Sequence, residues 1–527
     1  MAVNNVISKL RANADMSQEQ FAELFGVSRQ SVQKWESGAS LPDLDKLIKI
    51  SKHFDISLDA LIFDSDARIV EELKATKELK PKYDNIHVWE SYYSTLGLQT
   101  EYLQSVEEGL DIAQYKDLFD TVTRLPHGEI KKKLGDVLFH IVCNAKTVEG
   151  YKYNEPSTLE EIKALRKRTT VTGKVDKSTL KDKIHGAWMG RICGCLLGKT
   201  IEGIKTDELI PVLKNSNNYP MHRYIVRKDI DTKMVENYRF RFENRPFADE
   251  MDGMPVDDDT NYVVLAQKLI EKYGKDFTDY DMSRIWLSLQ PKDAYCTAER
   301  VAFCNFVNGY EPPESAVYKN PYREWIGAQI RGDYFGYIAP GNPEFAAEMA
   351  FRDASISHVK NGIYGEMFIA AMIATAAVTN DIKEIIYGGL AQIPHTSRLY
   401  EAIIDVINGF ENGVSQEDCF RDIHNRYNEY TTHGWCHTIS NAMIVVASLL
   451  YGKGDYGKSI CMAVETGFDT DCNGATVGSI LGMAFGITCI DEVWTKPINN
   501  KLHTSIFGVG TINITDAVEL TMKHIKL

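Results

Sequence analysis

Two segments of the chain carry a glycine at every fourth position. The first has Gly186, Gly190, Gly194 and Gly198, and the second has Gly474, Gly478, Gly482 and Gly486. Residues four apart share one face of a helix, and each glycine there costs up to about 1 kcal/mol relative to alanine. Such a face is useful where another backbone must approach closely. We therefore expect the two stripes to pack against each other as antiparallel helices.

Acidic residues stand just before the second stripe and before one other helix-like run, about 210 residues upstream. The acids are Asp469 and Asp471, and Asp257, Asp258 and Asp259. One such cluster is explained by helix capping, but two clusters placed alike favour a shared site. Helix N-termini stabilise negative charge, and carboxylate oxygens suit Mg²⁺ or Ca²⁺. Antiparallel packing of the stripes would also bring Glu202 next to the second cluster.

Composition limits the class of protein. The chain has 527 residues, a net charge of −14 and ten cysteines without a C-x-x-C pair, which is typical of a cytoplasmic protein of two or three domains. A glycine face can also join membrane-spanning helices. However, Arg191 and Lys199 lie beside the first stripe, and no stretch reaches the roughly 18 apolar residues of a span. We expect no membrane association.

The first 64 residues predict five short helices. Ser17, with Gln20 three residues later, forms the capping pattern for a helix over 18–25 that Gly26 ends. Ser28 caps a third helix over 29–36. A fourth helix opens at Pro42-Asp43, and Ser57 opens a fifth. Two short helices joined by a glycine-containing turn make a helix-turn-helix.

The stretch S-Q-x-x-F-A-x-x-F-G-V-S-x-x-S-V-x-K-W-E-S-G, at residues 17–38, resembles the lambda-repressor (XRE) family of DNA-binding domains. That resemblance implies contacts with bases or phosphates by Gln18, Ser28, Arg29, Gln30, Gln33 and Lys34. Residues 1–64 carry seven Lys or Arg and nine Asp or Glu, so one copy should bind DNA weakly. We expect a homodimer on a two-fold operator. A module kept for protein docking is the alternative.

Residues 65–175 show helical spacings and form a predicted helical linker or dimerisation region, which connects, dimerises or senses. From residue 176 to 527 nearly every segment has helical periodicity. The predicted fold class is all-α throughout, with a helix-turn-helix domain at 1–64 and a large helical domain at 176–527.

Three motifs of the large domain together resemble the ADP-ribosylglycohydrolase family. They are G-C-L-L-G-x-x-x-E-G at residues 194–203, D-D-D-T at 257–260 and G-x-D-T-D at 467–471. The resemblance implies an all-α domain that holds two Mg²⁺ ions, or Mn²⁺ in their place, at the base of an ADP-ribose cleft. It assigns the metal to Asp257, Asp258, Asp259, Asp469 and Asp471, catalytic roles to Glu202 and Asp258, and ligand contacts to Gly327, Arg331, His358 and Cys472.

The sequence departs from the family pattern at three places. Asp257 and Cys472 stand where the family has hydroxyl residues, and I-G-A-Q replaces a glycine-rich loop. An aromatic-rich insertion over about 215–253 is a further difference. We expect these differences to change which substrate the cleft accepts more than whether it binds metal ions. The expected reaction is hydrolysis of a ribosyl bond through an oxocarbenium-like transition state. A ligand sensor without catalysis and a nucleoside-type N-ribohydrolase are the alternatives.

Three histidines in turns or at helical spacing are weaker candidates. His433 and His437 stand four apart, and His395 follows a proline. No further histidine or cysteine completes a zinc spacing around them. We interpret them as structural or ligand-lining residues.

Overall fold

A computed structural model describes residues 2–56, 58–63, 86–167 and 173–526. It divides the chain into two compact units, residues 1–86 and 87–527. Both are built from helices, as predicted. In the described ranges the only paired strands are Lys501–His503 and Thr511–Asn513, an antiparallel pair in which Leu502 faces Ile512.

In its described residues the N-terminal unit has five short helices around a small apolar core. Ser17 and Gln20 form the predicted capping box, and Gly26 ends the second helix in the left-handed conformation. Ser28 caps the third helix. The fourth begins at Leu44 with Asp43 as its cap, and the predicted opener Ser57 lies outside the described residues. The helices are Ala2–Asn13, Gln18–Phe25, Arg29–Glu36, Leu44–His53 and Leu58–Phe63.

The second unit consists of helices around one large apolar core, with two smaller apolar clusters beside it. Its α-helices are Thr95–Glu107, Lys116–Arg124, Glu129–Asn144, Leu159–Ala164, Leu180–Lys199, Thr206–Asn215, Thr232–Val235, Asp258–Tyr273, Asp279–Leu289, Thr297–Val307, Glu314–Val317, Asp333–Ile338, Pro343–Ala354, Lys360–Ala376, Ile382–Leu390, Arg398–Glu411, Gln416–Arg426, Thr432–Cys436, Thr438–Gly452, Tyr456–Glu465, Thr470–Phe485, Glu492–Thr495 and Ile514–Ile525. Short 3₁₀ turns are Val88–Glu90, Ala113–Tyr115, Arg227–Asp229, Lys292–Ala294, Gln329–Arg331, Ile487–Cys489 and Lys496–Ile498.

The two glycine-striped helices, Leu180–Lys199 and Thr470–Phe485, lie at the centre of this core and pack antiparallel, which confirms the prediction. A Cβ on Gly190 would overlap the carbonyl oxygen of Gly478, and the same holds for the other pairs along the stripes. Thr470 Oγ1 donates to the Gly198 carbonyl at 2.9 Å. The pairing therefore fixes the end of the first helix against the start of the second.

Residues 87–167 pack onto the large domain through buried ion pairs. Arg323 binds Glu101 and Glu108 at 2.8 and 2.6 Å, with all three side chains buried. Glu155 binds Arg398 at 2.8 Å. These contacts place the segment within the second unit, and the predicted region 65–175 lies in part outside the described residues.

None of the helices in the described part of the chain combines the length and apolarity that a membrane crossing requires.

Candidate functional site

A cleft of about 110 Å³ lies where the two glycine-striped helices meet the start of the helix Asp258–Tyr273. It brings together residues that are far apart in sequence. The predicted site residues that line it are Glu202, Asp258, Gly327, Asp469, Asp471 and Cys472.

The first acid cluster forms the N-terminus of the helix Asp258–Tyr273. Asp257 caps this helix, and its Oδ1 accepts from the Asp259 amide at 2.9 Å. Its other oxygen is ion-paired with Lys199. Asp259 is fully buried, and Arg191 Nη2 lies 2.9 Å from its Oδ1. Burial raises the pKa of Asp258 well above its ordinary value, and Asp257 raises it further.

The second acid cluster stands at the N-terminus of the helix Thr470–Phe485. Burial raises the pKa of Asp469 to about 6. Burial and the neighbouring acids Glu202 and Asp469 raise the pKa of Asp471 well above its ordinary value. In contrast to the first cluster, neither carboxylate forms an ion pair with a described residue. When both carboxylates are ionised, this half of the cleft carries negative charge that no ion pair in the described chain neutralises.

Glu202 lies just past the first striped helix and is partly exposed to the cleft. Arg245 holds it: Nη2 donates to the Glu202 carbonyl at 3.0 Å, and Nη1 lies 3.8 Å from Oε2. Arg245 belongs to the aromatic-rich insertion, whose Phe240 and Phe247 are buried in the core. The insertion therefore supports the cleft from behind.

The carboxylates fit a divalent cation. Asp259 Oδ2 is buried without a hydrogen-bond partner in the described chain, and an orphaned carboxylate oxygen is costly unless something binds it. Asp259, Asp471 and Cys472 each offer a ligand atom within 4.8 Å of the others, and so do Cys195, Asp257 and Asp259. Carboxylates are hard ligands, whereas the thiols favour softer metals.

Gly327 lies in the cleft wall, but Arg331 and His358 are not among the residues that line the cavity. A Cβ on Gly327 would overlap the carboxylate of Glu299. Arg331 is buried and binds Glu299 and Asp353, each at 2.8 Å. His358 Nδ1 lies 2.8 Å from Ser357 Oγ, and burial lowers the pKa of this histidine well below its ordinary value. The guanidinium of Arg331 positions the cleft wall rather than facing the cavity.

Sequence reasoning missed several residues that line the cleft. Glu299 comes from a helix without any recognisable motif, and burial raises its pKa. Trp89 comes from a segment that we interpreted only as a linker. Trp435 stands between the candidate histidines. The one usable signal was the tryptophan between His433 and His437, because a large ring in a polar turn is unusual.

His433 and His437 converge with Glu107 into a polar cluster beside the cleft. Their Nε2 atoms lie 3.1 and 3.5 Å from Glu107 Oε2. The Nδ1 of His433 accepts from the Trp325 indole at 3.1 Å, and that of His437 accepts from the Ile439 amide at 3.1 Å. The two rings and the Glu107 carboxylate each offer a ligand atom within 4.8 Å of the others, so the cluster has three donors that a metal ion could share.

The remaining histidine candidate has a structural role. His395 Nδ1 lies 2.6 Å from the Leu165 carbonyl, and its amide donates to the same oxygen at 3.0 Å. His395 thus ties the segment 87–167 to the large domain.

The third helix of the N-terminal unit, Arg29–Glu36, has two distinct faces. Val32 and Trp35 are buried in the core. The opposite face is exposed and contains most of the predicted DNA-contacting residues, namely Ser28, Arg29, Gln30, Gln33 and Lys34. Gln18 is half-buried and donates to Glu36 Oε2 at 2.7 Å. This exposed face has the size and polarity of a recognition surface.

Comparison with protein families finds two matches. Residues 176–521 match the ADP-ribosylglycohydrolase family, and residues 7–61 match a helix-turn-helix family. One solved structure, an "ADP-ribosylglycohydrolase-related protein complex", aligns at 16% identity with a TM-score of 0.43, over 66% of this chain and 99% of the other.

Curated relatives match short stretches of the chain. The HTH-type transcriptional activator BcrR of Enterococcus faecalis is 34% identical over 87 residues, which are 16% of this chain and 43% of that protein. The cryptic phage CTXphi transcriptional repressor RstR of Vibrio cholerae is 32% identical over 69 residues, 13% of this chain and 62% of RstR. The chain thus spans less than two thirds of the length of either relative.

Proposed function

Because the chain belongs to the ADP-ribosylglycohydrolase family, we propose that it hydrolyses the ribosyl glycosidic bond of an ADP-ribosylated or related ribosyl compound with Mg²⁺. One observation carries the proposal. Glu202, Asp258, Asp469 and Asp471 line one cavity although they lie up to 269 positions apart in sequence. Pairs of carboxylates in a cleft are the usual catalytic residues of enzymes that hydrolyse glycosidic bonds.

In this proposal two Mg²⁺ ions would share five ligands, namely Asp257, Asp258, Asp259, Asp469 and Asp471. A bound divalent cation supplies Lewis-acid polarisation and a more acidic water. Arg191 holds Asp259 through a buried ion pair at 2.9 Å, so the orientation of this carboxylate is set before any ion arrives. Such preorganisation lowers the cost of binding.

Glu202 and Asp258 are the proposed catalytic residues, and both line the cavity. Glu202 is held at its edge by Arg245. In this position its carboxyl can take a proton from an attacking water or give one to the leaving oxygen or nitrogen. Glu299 lies beside Gly327 in the same wall, but its carboxylate is paired with Arg331 at 2.8 Å, so it has a structural role in the proposal. Gly327 and Cys472 complete the proposed ligand-contacting wall, with Arg331 and His358 behind it.

The test is incubation of the full chain and Mg²⁺ with ADP-ribosylated peptide, ADP-ribose and nucleosides, following release of ADP-ribose or ribose. We expect turnover of at least one compound, and none by the Asp469→Asn/Asp471→Asn double variant. Full metal-dependent activity of that variant would refute the assignment. Turnover of nucleosides alone would support the N-ribohydrolase alternative.

A second function is favoured by the helix-turn-helix match. We propose that residues 1–64 bind operator DNA as a homodimer through the exposed face of the helix Arg29–Glu36. Binding of a ribosyl ligand without turnover would make the chain a ligand-sensing regulator. Gel shift with the DNA upstream of its own coding region tests the proposal. An Arg29→Ala/Gln33→Ala variant should lose the shifted band, and the absence of any salt-sensitive shift by the wild type would overturn it.

A further inference from the structure

The cleft has one wall that the family match does not include. Trp89 lines the same cavity as Glu202 and Asp469, but it stands 87 positions before residue 176, where the match begins. The segment that carries it, residues 87–167, is packed onto the large domain by the buried ion pairs of Arg323 and Arg398. The site is therefore built from more than the family domain alone.

Trp89 is held in place from both sides. It lies in the 3₁₀ turn Val88–Glu90. The next residue, Glu90, lies 2.7 Å from both Lys292 Nζ and Arg300 Nε. The indole itself packs with Trp435 onto a small apolar cluster that contains Trp325 and Cys436. Its ring is only half-buried, so part of it remains open to a ligand.

The chemistry of this wall suits a flat ring. Trp89 and Trp435 both line the cavity, and the buried Nε1–H of Trp435 has no acceptor in the described chain. Indole faces stack on nucleobases, each stack contributing about 1–3 kcal/mol with little dependence on the base. A base edge would also supply an acceptor to a buried N–H, whose lack of a partner is costly.

We infer that Trp89 and Trp435 form a stacking site for the nucleobase of the ribosyl substrate, so that residues 87–167 complete the substrate cleft. The inference rests on the proposed function and narrows its substrate class. The substrate is a ribosyl compound that carries a planar base. Lys205 already lies over the Trp435 ring and His87 packs against Trp89, so the base stacks on the remaining indole surface. A bare ribose or ribose phosphate is a poorer ligand because it lacks this contact and leaves the Trp435 N–H without a partner.

Calorimetric titration of the full chain in Mg²⁺ with ADP-ribose and with ribose 5-phosphate tests this inference. Trp89→Ala should weaken ADP-ribose binding about 10-fold, within the range for loss of one stacking contact, and leave ribose 5-phosphate binding unchanged. Trp89→Phe keeps an aromatic face and should bind ADP-ribose within about threefold of the wild type. Each variant is also melted, to show that it is folded.

Two results would overturn the inference. One is unchanged ADP-ribose affinity in Trp89→Ala. The other is an equal loss for both ligands, which would mean that Trp89 only supports the fold of the cleft. If Trp89→Ala fails to fold, the inference is tested by quenching of tryptophan fluorescence on addition of ADP-ribose. The quenching should be stronger in the wild type than in Trp89→Phe. Equal quenching in the two proteins would refute stacking on Trp89. Binding of ADP-ribose without turnover of any compound removes the proposed hydrolysis but not the stacking site, whereas no binding at all overturns both.

Discussion

Two acids of the first cluster form ion pairs, whereas neither acid of the second cluster forms one with a described residue. Asp257 is paired with Lys199 and Asp259 with Arg191. Asp469 and Asp471 stand at an equivalent helix N-terminus, but neither forms an ion pair with a described residue. The first cluster is therefore stabilised by ion pairs even without metal. In the second cluster the two ionised carboxylates repel each other, and a bound cation would reduce this repulsion. In our proposal the first cluster contributes to stability as well as to metal binding, whereas the second contributes to metal binding alone.

The largest expected change in stability comes from a substitution in the first acid cluster. Asp259→Asn should lower the free energy of unfolding by about 3 kcal/mol, because Arg191 is left as a buried charge with only Asp333 opposite it. Chemical denaturation in metal-free buffer measures the change. The matched control is Asp405→Asn, which breaks the exposed pair with Arg426 and should cost less than about 1 kcal/mol. Equal effects of the two variants would contradict a stabilising role for the first cluster.

The second cluster should respond in the opposite direction. In metal-free buffer the Asp469→Asn/Asp471→Asn variant should be at least as stable as the wild type, because it removes mutual repulsion. Mg²⁺ at 100 times its Kd should stabilise the wild type by about 2.7 kcal/mol and leave the variant unchanged. Thermal melting with and without Mg²⁺ measures both quantities. A variant that still gains stability from Mg²⁺ would show that the second cluster is not needed for metal binding.

The glycine contact sets the distance between the two halves of the cleft. Gly478→Ala should destabilise the protein by about 2 kcal/mol, since its Cβ would overlap the Gly190 carbonyl and force the helices apart. Gly409→Ala is the control, because a Cβ there meets only Val414 at 3.7 Å and should stabilise the helix by up to about 1 kcal/mol. Urea denaturation of both variants measures the difference. If Gly478→Ala proves neutral, the helices are not held at backbone contact.

Much of this architecture could be predicted from local sequence patterns. The glycine repeats predicted the helix pairing because a four-residue period maps directly onto one helix face. Ser17 and Ser28 predicted helix starts because capping depends on neighbours in sequence. Trp89 and Glu299 could not be found in this way, because their place in the cleft depends on how distant helices pack. The buried role of Arg331 was hidden for the same reason: its partners Glu299 and Asp353 are 32 and 22 residues away.

The smallest expected effect is on Mg²⁺ affinity and comes from Lys199, which interacts with acids of both clusters. Lys199 pairs with Asp257, and its pKa is raised, against the effect of burial, by Asp257 and Asp471. Lys199→Met removes one positive charge from the metal's surroundings. Mg²⁺ should then bind about fivefold more tightly, which corresponds to about 1 kcal/mol at the effective dielectric constant of a protein interior, while the metal-free protein becomes less stable. Lys181→Met is the control, because it lies on the same helix but pairs with the exposed Glu519. Weaker Mg²⁺ binding by Lys199→Met would mean that the lysine orders Asp257 for the ion rather than competing with it, and the two clusters would then act as one preformed site.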